Sequence, residues 1–211
     1  MAIAFTQIIK VRSEEYVLYL LCSLLPWGYL SECLQGCASS VIRSENLIKS
    51  QNIPLIVYPI KQSLFSMMTF SFQLIALLCL YSIIRMDFPS KIYYLIFTIP
   101  LLTIFCTGLG ILLSVITVYF RDIQHLLNVV LKAWFYLTPI LYPLDILPEE
   151  YQFYLLLNPA THFIQLFSEP LYKDMSPGLA TFFITSVLTI FSCIVGMLLM
   201  IKFERKLIFR L

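Results

Sequence analysis

The stretch YLLLNPATHFIQLF, residues 154–167, decides the fold of this chain, because it is apolar enough to enter a bilayer yet carries an Asn-Pro pair at its centre. Pro159 has no backbone N–H and biases Asn158 away from the helical conformation. Two helical pieces remain, 151–157 and about 160–168, and each is only ~10–14 Å long at 1.5 Å per residue. Neither can cross a hydrocarbon core of about 30 Å. We therefore predict a re-entrant helical hairpin that enters the membrane and returns to the same side.

The residues at the break have predicted structural roles. The side chain of Asn158 can satisfy the backbone groups that a helix break leaves open, and Pro159 starts the second helix with its φ already set. His162 follows on the first turn. We expect it to form a hydrogen bond with a neighbouring carbonyl rather than to bind a metal.

The composition identifies an integral membrane protein. Of the 211 residues, 60% are hydrophobic and only 12% are charged, whereas soluble domains carry about 25% charged residues. The net charge of +2 is too small to indicate binding to nucleic acid, and no such partner is predicted. The six cysteines form no CxxC pair, so they predict neither a disulfide framework nor a metal site.

Apolar segments predict an all-α polytopic fold with five transmembrane helices plus the hairpin. A helix needs about 20 apolar residues to cross the bilayer core. Five segments meet this requirement, of which three carry no charge and two carry a single one. They are 16–42 (with Glu32), 62–84, 92–120, 123–142 (with Lys132) and 175–201.

The distribution of Lys and Arg predicts the orientation. If the connection 43–61 and the C-terminus are cytoplasmic, eight of the 14 basic residues lie on that side, five lie on the other and Lys132 lies within a span. This agrees with the positive-inside rule. If 151–168 crossed the membrane, the basic connection and the basic tail would lie on opposite sides. The hairpin region, 143–176, is therefore predicted on the outer side.

The connection 43–61 contains a short polar helix. Ser44 can cap its N-terminus and Pro54 ends it. Leu47 and Ile48 are predicted to be exposed apolar residues on this helix. Such a helix either lies on the membrane surface or docks into a groove of another protein.

Catalytic motifs are missing from the sequence. It contains no GxxxxGK[ST] phosphate loop and no HExxH or GxSxG motif. In the predicted topology His125 and His162 lie on opposite sides of the membrane and cannot share a site. The ionisable residues within predicted spans can be satisfied locally, Glu32 by neighbouring serines and Lys132 by snorkelling or by pairing with Glu32. No catalytic residue and no metal site are predicted.

Aromatic residues cluster at the end of the span 123–142 and in the hairpin. Those considered for a substrate path are Trp134, Phe135, Tyr136, Tyr142, Tyr151 and Tyr154. An aromatic belt at the membrane interface has this composition. Aromatic faces also stack against the apolar faces of sugar rings, and tyrosine hydroxyls can bond to sugar hydroxyls. Composition favours neither interpretation.

Several motifs resemble one family of transporters. VYFRDIQHLL, FYLTPILYP, LNP and the terminal FERK have the order and spacing found in the membrane subunit of type-2 ABC exporters. Within this family the sequence resembles the branch that exports O-antigen, capsule and wall teichoic acid polysaccharides, and the resemblance runs from about residue 15 to the end. It implies that 1–211 is a single transmembrane domain, which functions as a homodimer of six-span subunits around a central channel. Two cytoplasmic ATPase subunits, which hold ATP and Mg²⁺, would drive transport, so the chain itself needs no cofactor.

The resemblance also assigns roles to residues. It makes the helix at about Ser44–Asn52 a coupling helix that contacts the ATPase, and the hairpin an outer gate centred on Asn158, Pro159 and His162. The coupling residues are Ser44, Glu45, Asn46, Leu47, Ile48 and Lys49. The expected function is export of a lipid-linked polysaccharide across the cell inner (plasma) membrane, without catalysis by this chain.

Two other functions and one departure from the family accompany this interpretation. A type-2 exporter of a lipid or drug would share the architecture. A membrane transferase acting on lipid-linked sugars would need converging acid, base or metal groups, which the sequence does not show.

Family members begin with an amphipathic helix and a full first span, whereas only MAIAFTQII, residues 1–9, stands at the outer end of that span. An N-terminally truncated first span is therefore expected.

Overall fold

The computed structural model describes residues 13–50, 53–146 and 148–208. These residues form helices and no β-strand, which confirms the all-α prediction. The α-helices are α1 (Ser13–Arg43), α2 (Glu45–Ser50), α3 (Val57–Arg85), α4 (Leu95–Tyr119), α5 (Ile123–Tyr136), α6 (Glu149–Leu156), α7 (Pro159–Ser168) and α8 (Leu179–Ile208). Ile92–Tyr94 and Leu144–Ile146 are 3-10 turns, and Glu169–Lys173 is π-helical. The predicted remnant 1–9 lies outside the described residues.

Four helices are long and apolar enough to cross a membrane. They are Tyr16–Arg43, Val57–Arg85, Ile92–Tyr119 and Leu179–Glu204. These agree with four of the five predicted spans and confirm a polytopic membrane protein.

The predicted span 123–142 has a different form, so the count of five is not confirmed. Its helix α5 has 14 residues and ends at Tyr136. At 1.5 Å per residue this is about 21 Å, shorter than the hydrocarbon core. Pro139 explains the early end, because proline disfavours the helical conformation of the residue before it, Thr138.

The chain divides into two compact units, and each contains segments of several helices. The first unit contains residues 13–28, 70–99 and 133–185 and includes α6 and α7. The second contains 29–69, 100–132 and 186–208 and includes α2. The buried core of the second unit is Val41, Ile48, Leu55, Tyr58, Ile111, Val115, Val118, Met200 and Leu207.

Glycines allow α4 and α8 to approach closely within the second unit. A Cβ on Gly196 would lie 2.4 Å from the carbonyl oxygen of Gly108, and one on Gly108 would lie 2.6 Å from the backbone nitrogen of Cys193. The hydroxyl of Ser192 donates to the carbonyl of Phe105 at 3.3 Å. Small residues and interhelical hydrogen bonds drive helix packing in membranes, where lipid tails are as apolar as leucine.

Gly196→Ala is expected to destabilise the protein by about 1–3 kcal/mol, because the added methyl must displace the backbone of α4. Gly28→Ala is the matched control, since nothing lies within 4 Å of a Cβ at that helical position. The control should be neutral or slightly stabilising, as alanine favours helix. Thermal unfolding of the purified protein in detergent measures both. Equal unfolding temperatures for Gly196→Ala and the wild type would contradict the close approach.

Candidate functional site

A polar cavity of about 590 Å³ lies within the second unit. Three helices supply its walls: α1, α3 and α5. The polar side chains that line it are Glu32, Gln35, Ser39, Arg43, Gln62, Gln124 and Asn128. We call this cavity the polar groove.

α1 presents a polar row to the groove. Glu32, Gln35, Ser39 and Arg43 recur every three or four residues and therefore lie on one face of the helix. The Arg43 guanidinium is directed back along this face, where it donates to the carbonyl of Gly36 at 3.1 Å and to the hydroxyl of Ser39. The other face of α1 is apolar and buried in the unit, through Cys33, Leu34, Cys37, Ala38 and Val41.

α3 adds an amide to the groove at a place where α1 has no side chain. A Cβ on Gly36 would lie 2.7 Å from Nε2 of Gln62 and 2.8 Å from its Cγ. The absence of a side chain at Gly36 therefore makes room for Gln62 to lie against α1. This contact keeps a polar group of α3 on the wall of the groove.

α5 contributes a second polar row to the groove, and this row consists of amides. Gln124 and Asn128 are one turn apart and line the groove. Among the side chains of this helix that the structure describes, Leu131 is the one that is buried. On another face Leu126, Val129 and Val130 are 58%, 65% and 55% exposed. α5 thus carries a polar row and an apolar row, both largely uncovered.

The chemistry of the groove suits a hydrated, hydroxyl-bearing ligand. Amides provide both donors and acceptors, and serine hydroxyls do the same. Lipid cannot satisfy such groups, and polar rows within membrane helices face water-filled cavities or other protein. The groove therefore offers hydrogen bonds along several turns of α1 and α5, with one carboxylate and one guanidinium in the row.

The groove was not predicted from the sequence. Glu32 was expected to be satisfied by neighbouring serines, but Ser39 and Ser40 donate to the carbonyls of their own helix, Ser39 to Gln35 at 3.2 Å and Ser40 to Cys37 at 2.7 Å. The spacing of polar residues along α1 was the available signal. Which residues of α3 and α5 face that row depends on how the helices are rotated, which one sequence does not reveal.

In the first unit, the segment predicted as a hairpin consists of a helix, a break and a second helix, while its re-entrant path on the outer side stays a prediction. α6 ends at Leu156 and α7 begins at Pro159, so the predicted break at Asn158 is confirmed. Oδ1 of Asn158 accepts from the indole Nε1 of Trp134 at 2.7 Å and from the backbone N–H of Ala160 at 3.0 Å. Its Nδ2 donates to Oγ1 of Thr138 at 2.9 Å and to the carbonyl of Leu137 at 3.2 Å. The amide thereby uses two donors and two acceptor positions, its full capacity.

His162 has the predicted type of partner. Its Nε2 lies 2.8 Å from the carbonyl oxygen of Leu156, and the side chain is buried. Because Leu156 is the last residue of α6 and His162 lies in the first turns of α7, this bond holds the two helices of the hairpin together. The role of the hairpin as an outer gate stays a prediction.

A second contact holds the hairpin region within its unit. Asp174 follows the π-helical turn and adopts a left-handed φ of 51°. Its carboxylate accepts from the hydroxyl of Ser90 at 2.9 Å and from the backbone N–H of Lys91 at 3.1 Å. These bonds join the end of the hairpin region to the connection between α3 and α4.

The predicted aromatic residues have different environments. Trp134 and Phe135 pack edge-on against Trp27 with ring centroids 5.7 and 5.9 Å apart, so they contribute to packing. Tyr136 and Tyr154 are exposed, at 59% and 70%. Tyr142 is half-buried and its burial raises its pKa, while its carbonyl accepts from the hydroxyl of Tyr19 at 2.8 Å. The side chain of Tyr151 lies outside the described residues.

α2 is the short helix predicted in the connection 43–61. The carbonyl of Ser44 accepts from the amide of Ile48 at 3.0 Å, the backbone bond expected of an N-cap residue. The Lys49 ammonium lies 2.6 Å from the Glu45 carboxylate one turn earlier. The hydrogen bond from Lys49, together with its charge, lowers the pKa of Glu45.

The prediction that Ile48 is exposed was wrong. Leu47 is 49% exposed, but Ile48 is only 9% exposed and belongs to the core of the second unit. Adjacent residues on a helix point about 100° apart, so a one-turn helix that packs on one side buries one of the pair and exposes the other. Leu47, rather than Ile48, is available to a partner protein.

Comparisons with known proteins give a family and several relatives to which the chain is similar. The family described as ABC-2 type transporter matches residues 1–172. An O-antigen export system permease protein RfbA from Klebsiella pneumoniae is 26% identical over 164 residues, and the chain spans only 62% of the length of that relative and 76% of its own. A protein of the same description from Myxococcus xanthus is 28% identical over 191 residues, 87% of this chain and 73% of that protein. The polysialic acid transport protein KpsM of Escherichia coli is 35% identical over 75 residues, 36% of this chain and 29% of that protein.

Asn158→Ala is expected to destabilise the protein by about 2–4 kcal/mol, because it removes four hydrogen bonds of roughly 1 kcal/mol each. Asn158→Asp keeps the acceptor oxygen and loses both donors, so its effect should be intermediate. Asn128→Ala, at an exposed position of α5, is the control and should change stability by less than about 0.5 kcal/mol. Thermal unfolding in detergent ranks the three variants. If Asn158→Ala is as stable as the control, the hydrogen bonds of Asn158 at the break between α6 and α7 contribute nothing to stability.

Proposed function

The chain belongs to the ABC-2 type transporter family, and on this premise we propose that it is the membrane subunit of an ATP-driven exporter that moves a lipid-linked polysaccharide across the inner membrane. The observation that carries the proposal is the polar groove, which places amides, a serine hydroxyl and two opposite charges on two helices of membrane-spanning length, α1 and α3, and on the shorter helix α5. Such a surface suits a sugar polymer, whose many hydroxyls exchange hydrogen bonds with amides. The names of the relatives, O-antigen export and polysialic acid transport, support the same class of cargo.

The energy would come from a separate ATPase subunit that binds both ATP and Mg²⁺. The sequence has no GxxxxGK[ST] phosphate loop of its own. α2 supports the proposal because it presents an exposed leucine, Leu47, next to the Lys49–Glu45 ion pair, whose lysine is exposed. An apolar side chain that is flanked by charged groups can dock into a groove on a partner protein.

A second copy of the chain would complete the path. The polar groove is open, and its Gln124 and Asn128 side belongs to a helix that is largely uncovered within its own unit. Hydrocarbon in contact with this row would leave its amides without partners, which is costly. A homodimer in which two grooves face each other encloses a hydrated channel, and the apolar row of α5 provides contact area beside it.

The hairpin would serve as the outer gate of this channel. Asn158, Pro159 and His162 join its two helices, so a movement of one helix is passed to the other. The exposed rings of Tyr136 and Tyr154, with Tyr142 and Tyr151 nearby in the sequence, would then offer stacking surfaces to sugar rings as they leave.

The double variant Gln124→Leu/Asn128→Leu should lower export about thirtyfold, because it removes two amides of roughly 1 kcal/mol each from the path. Polysaccharide at the cell surface and protein in the membrane are measured together, in cells that lack the native subunit. Val129→Leu, on the apolar row of the same helix, is the matched control and should export normally. Normal export by the double variant would exclude the groove as the path, and equal loss in the control would indicate a packing effect.

Leu47→Asp should abolish export while the membrane subunit still folds, since a charge at this exposed position disrupts only the contact with the ATPase. Ile48→Asp should instead lower the amount of folded protein, because it buries a carboxylate in an apolar core. Export, membrane protein level and co-purification of the ATPase distinguish the two. If Leu47→Asp exports normally with its ATPase bound, α2 is not the coupling element.

A further inference from the structure

A backbone amide in the connection between α2 and α3 finds its acceptor on a distant helix. The N–H of Leu55 donates to Oε1 of Glu204, near the end of α8, at 3.1 Å. Leu55 is fully buried and Glu204 is half-buried. A hydrogen bond to a charged acceptor is roughly twice as strong as a neutral one. The contact therefore joins two segments that lie 149 residues apart in the sequence.

Glu204 lies in an apolar row on α8. Met200 is four residues before it and Leu207 three residues after it, so the three side chains share one face of the helix. Met200 and Leu207 are buried in the same core as Ile48 and Leu55. The end of α8 therefore holds α2 and the following connection by apolar contacts on either side of one carboxylate.

α2 depends on this support for its position. A helix of six residues is too short to be stable alone, so packing must fix it. The bond from Leu55 also stands at the start of α3, where the carbonyl of Leu55 accepts from the amide of Tyr58 at 3.3 Å. A carboxylate is favoured there because the N-terminus of a helix carries partial positive charge.

We infer that Glu204 is a positioning residue whose hydrogen bond holds the connection after α2 against the end of α8, so that a movement of α2 is transmitted to α8. The inference rests on the proposed function in one respect, namely that a partner ATPase acts on α2. The hydrogen bond between Leu55 and Glu204 is a property of this chain alone and can be tested without the partner.

Hydrogen exchange of the purified protein in detergent tests whether Glu204 holds the connection after α2 in place. In the wild type, the Leu55 amide lies outside any helix and should nevertheless exchange as slowly as amides within α3. Glu204→Ala should speed exchange at Leu55 and in α2 about tenfold or more, whereas Glu204→Gln, which keeps an acceptor oxygen, should stay near the wild-type rate. Lys202→Ala, at an exposed position of the same helix end, is the control and should change nothing. Fast exchange at Leu55 in the wild type, or an unchanged rate in Glu204→Ala, would overturn the inference.

Transmission is tested with the complex of the chain and its ATPase. Glu204→Ala should retain ATP hydrolysis but lower cell-surface polysaccharide several-fold, and Glu204→Gln should restore it. If Glu204→Ala raises hydrogen exchange at Leu55 but leaves the amount of cell-surface polysaccharide unchanged, the proposed transmission from α2 to α8 is overturned. Leu47→Asp runs in parallel: if it too exports normally, the coupling role of α2 fails, and the exchange rates alone then decide whether Glu204 positions the connection.

Discussion

The membrane helices of this protein obey one constraint: in a hydrocarbon core every backbone N–H and C=O must find a partner within the protein. The long helices meet it with their own hydrogen bonds. At Asn158–Pro159 the helix cannot continue, and a single side chain supplies what the backbone lacks. Asn158 caps α7 through Ala160 and bonds to the indole of Trp134 and to the hydroxyl of Thr138, just after α5. The break is therefore compatible with burial, and a chain of this length gains a short helical pair without another span.

The same constraint applied to side chains separates the surfaces that lipid can cover from those it cannot. α8 exposes large apolar residues such as Phe183, Phe191 and Ile201, which hydrocarbon satisfies. The row that begins with Glu32 on α1 and the row of Gln124 and Asn128 on α5 need water, sugar or protein instead. The proposed exporter follows from this contrast, because a polymer of hydroxyls and a second copy of the chain together satisfy the polar rows. Close contact of α4 and α8 at their glycines builds the unit that holds these rows in place.

The connection between the first two spans follows different rules, since its short helix gains little from its own hydrogen bonds. Packing of Ile48 into the core and the bond between Leu55 and Glu204 fix its position. The exposed Leu47 and the ion pair beside it are thereby held on a defined surface. A contact made by a partner at Leu47 acts on a segment that is joined to the end of α8, which links the proposed coupling site to a membrane helix.

The sequence alone determined four spans, the break at Asn158, the type of partner of His162 (a carbonyl) and the short helix after Ser44, because each depends on local hydrophobicity, proline geometry or capping. Family motifs in the same sequence also indicated the transporter class that the comparisons confirm. The tertiary structure alone decided which of Leu47 and Ile48 is buried, that Trp134 bonds to Asn158, and that Glu204 holds Leu55. It also decided that polar residues of three helices share one groove. These depend on the rotation of each helix about its axis, which is set by contacts between residues far apart in the chain, and a single sequence contains no direct record of those contacts.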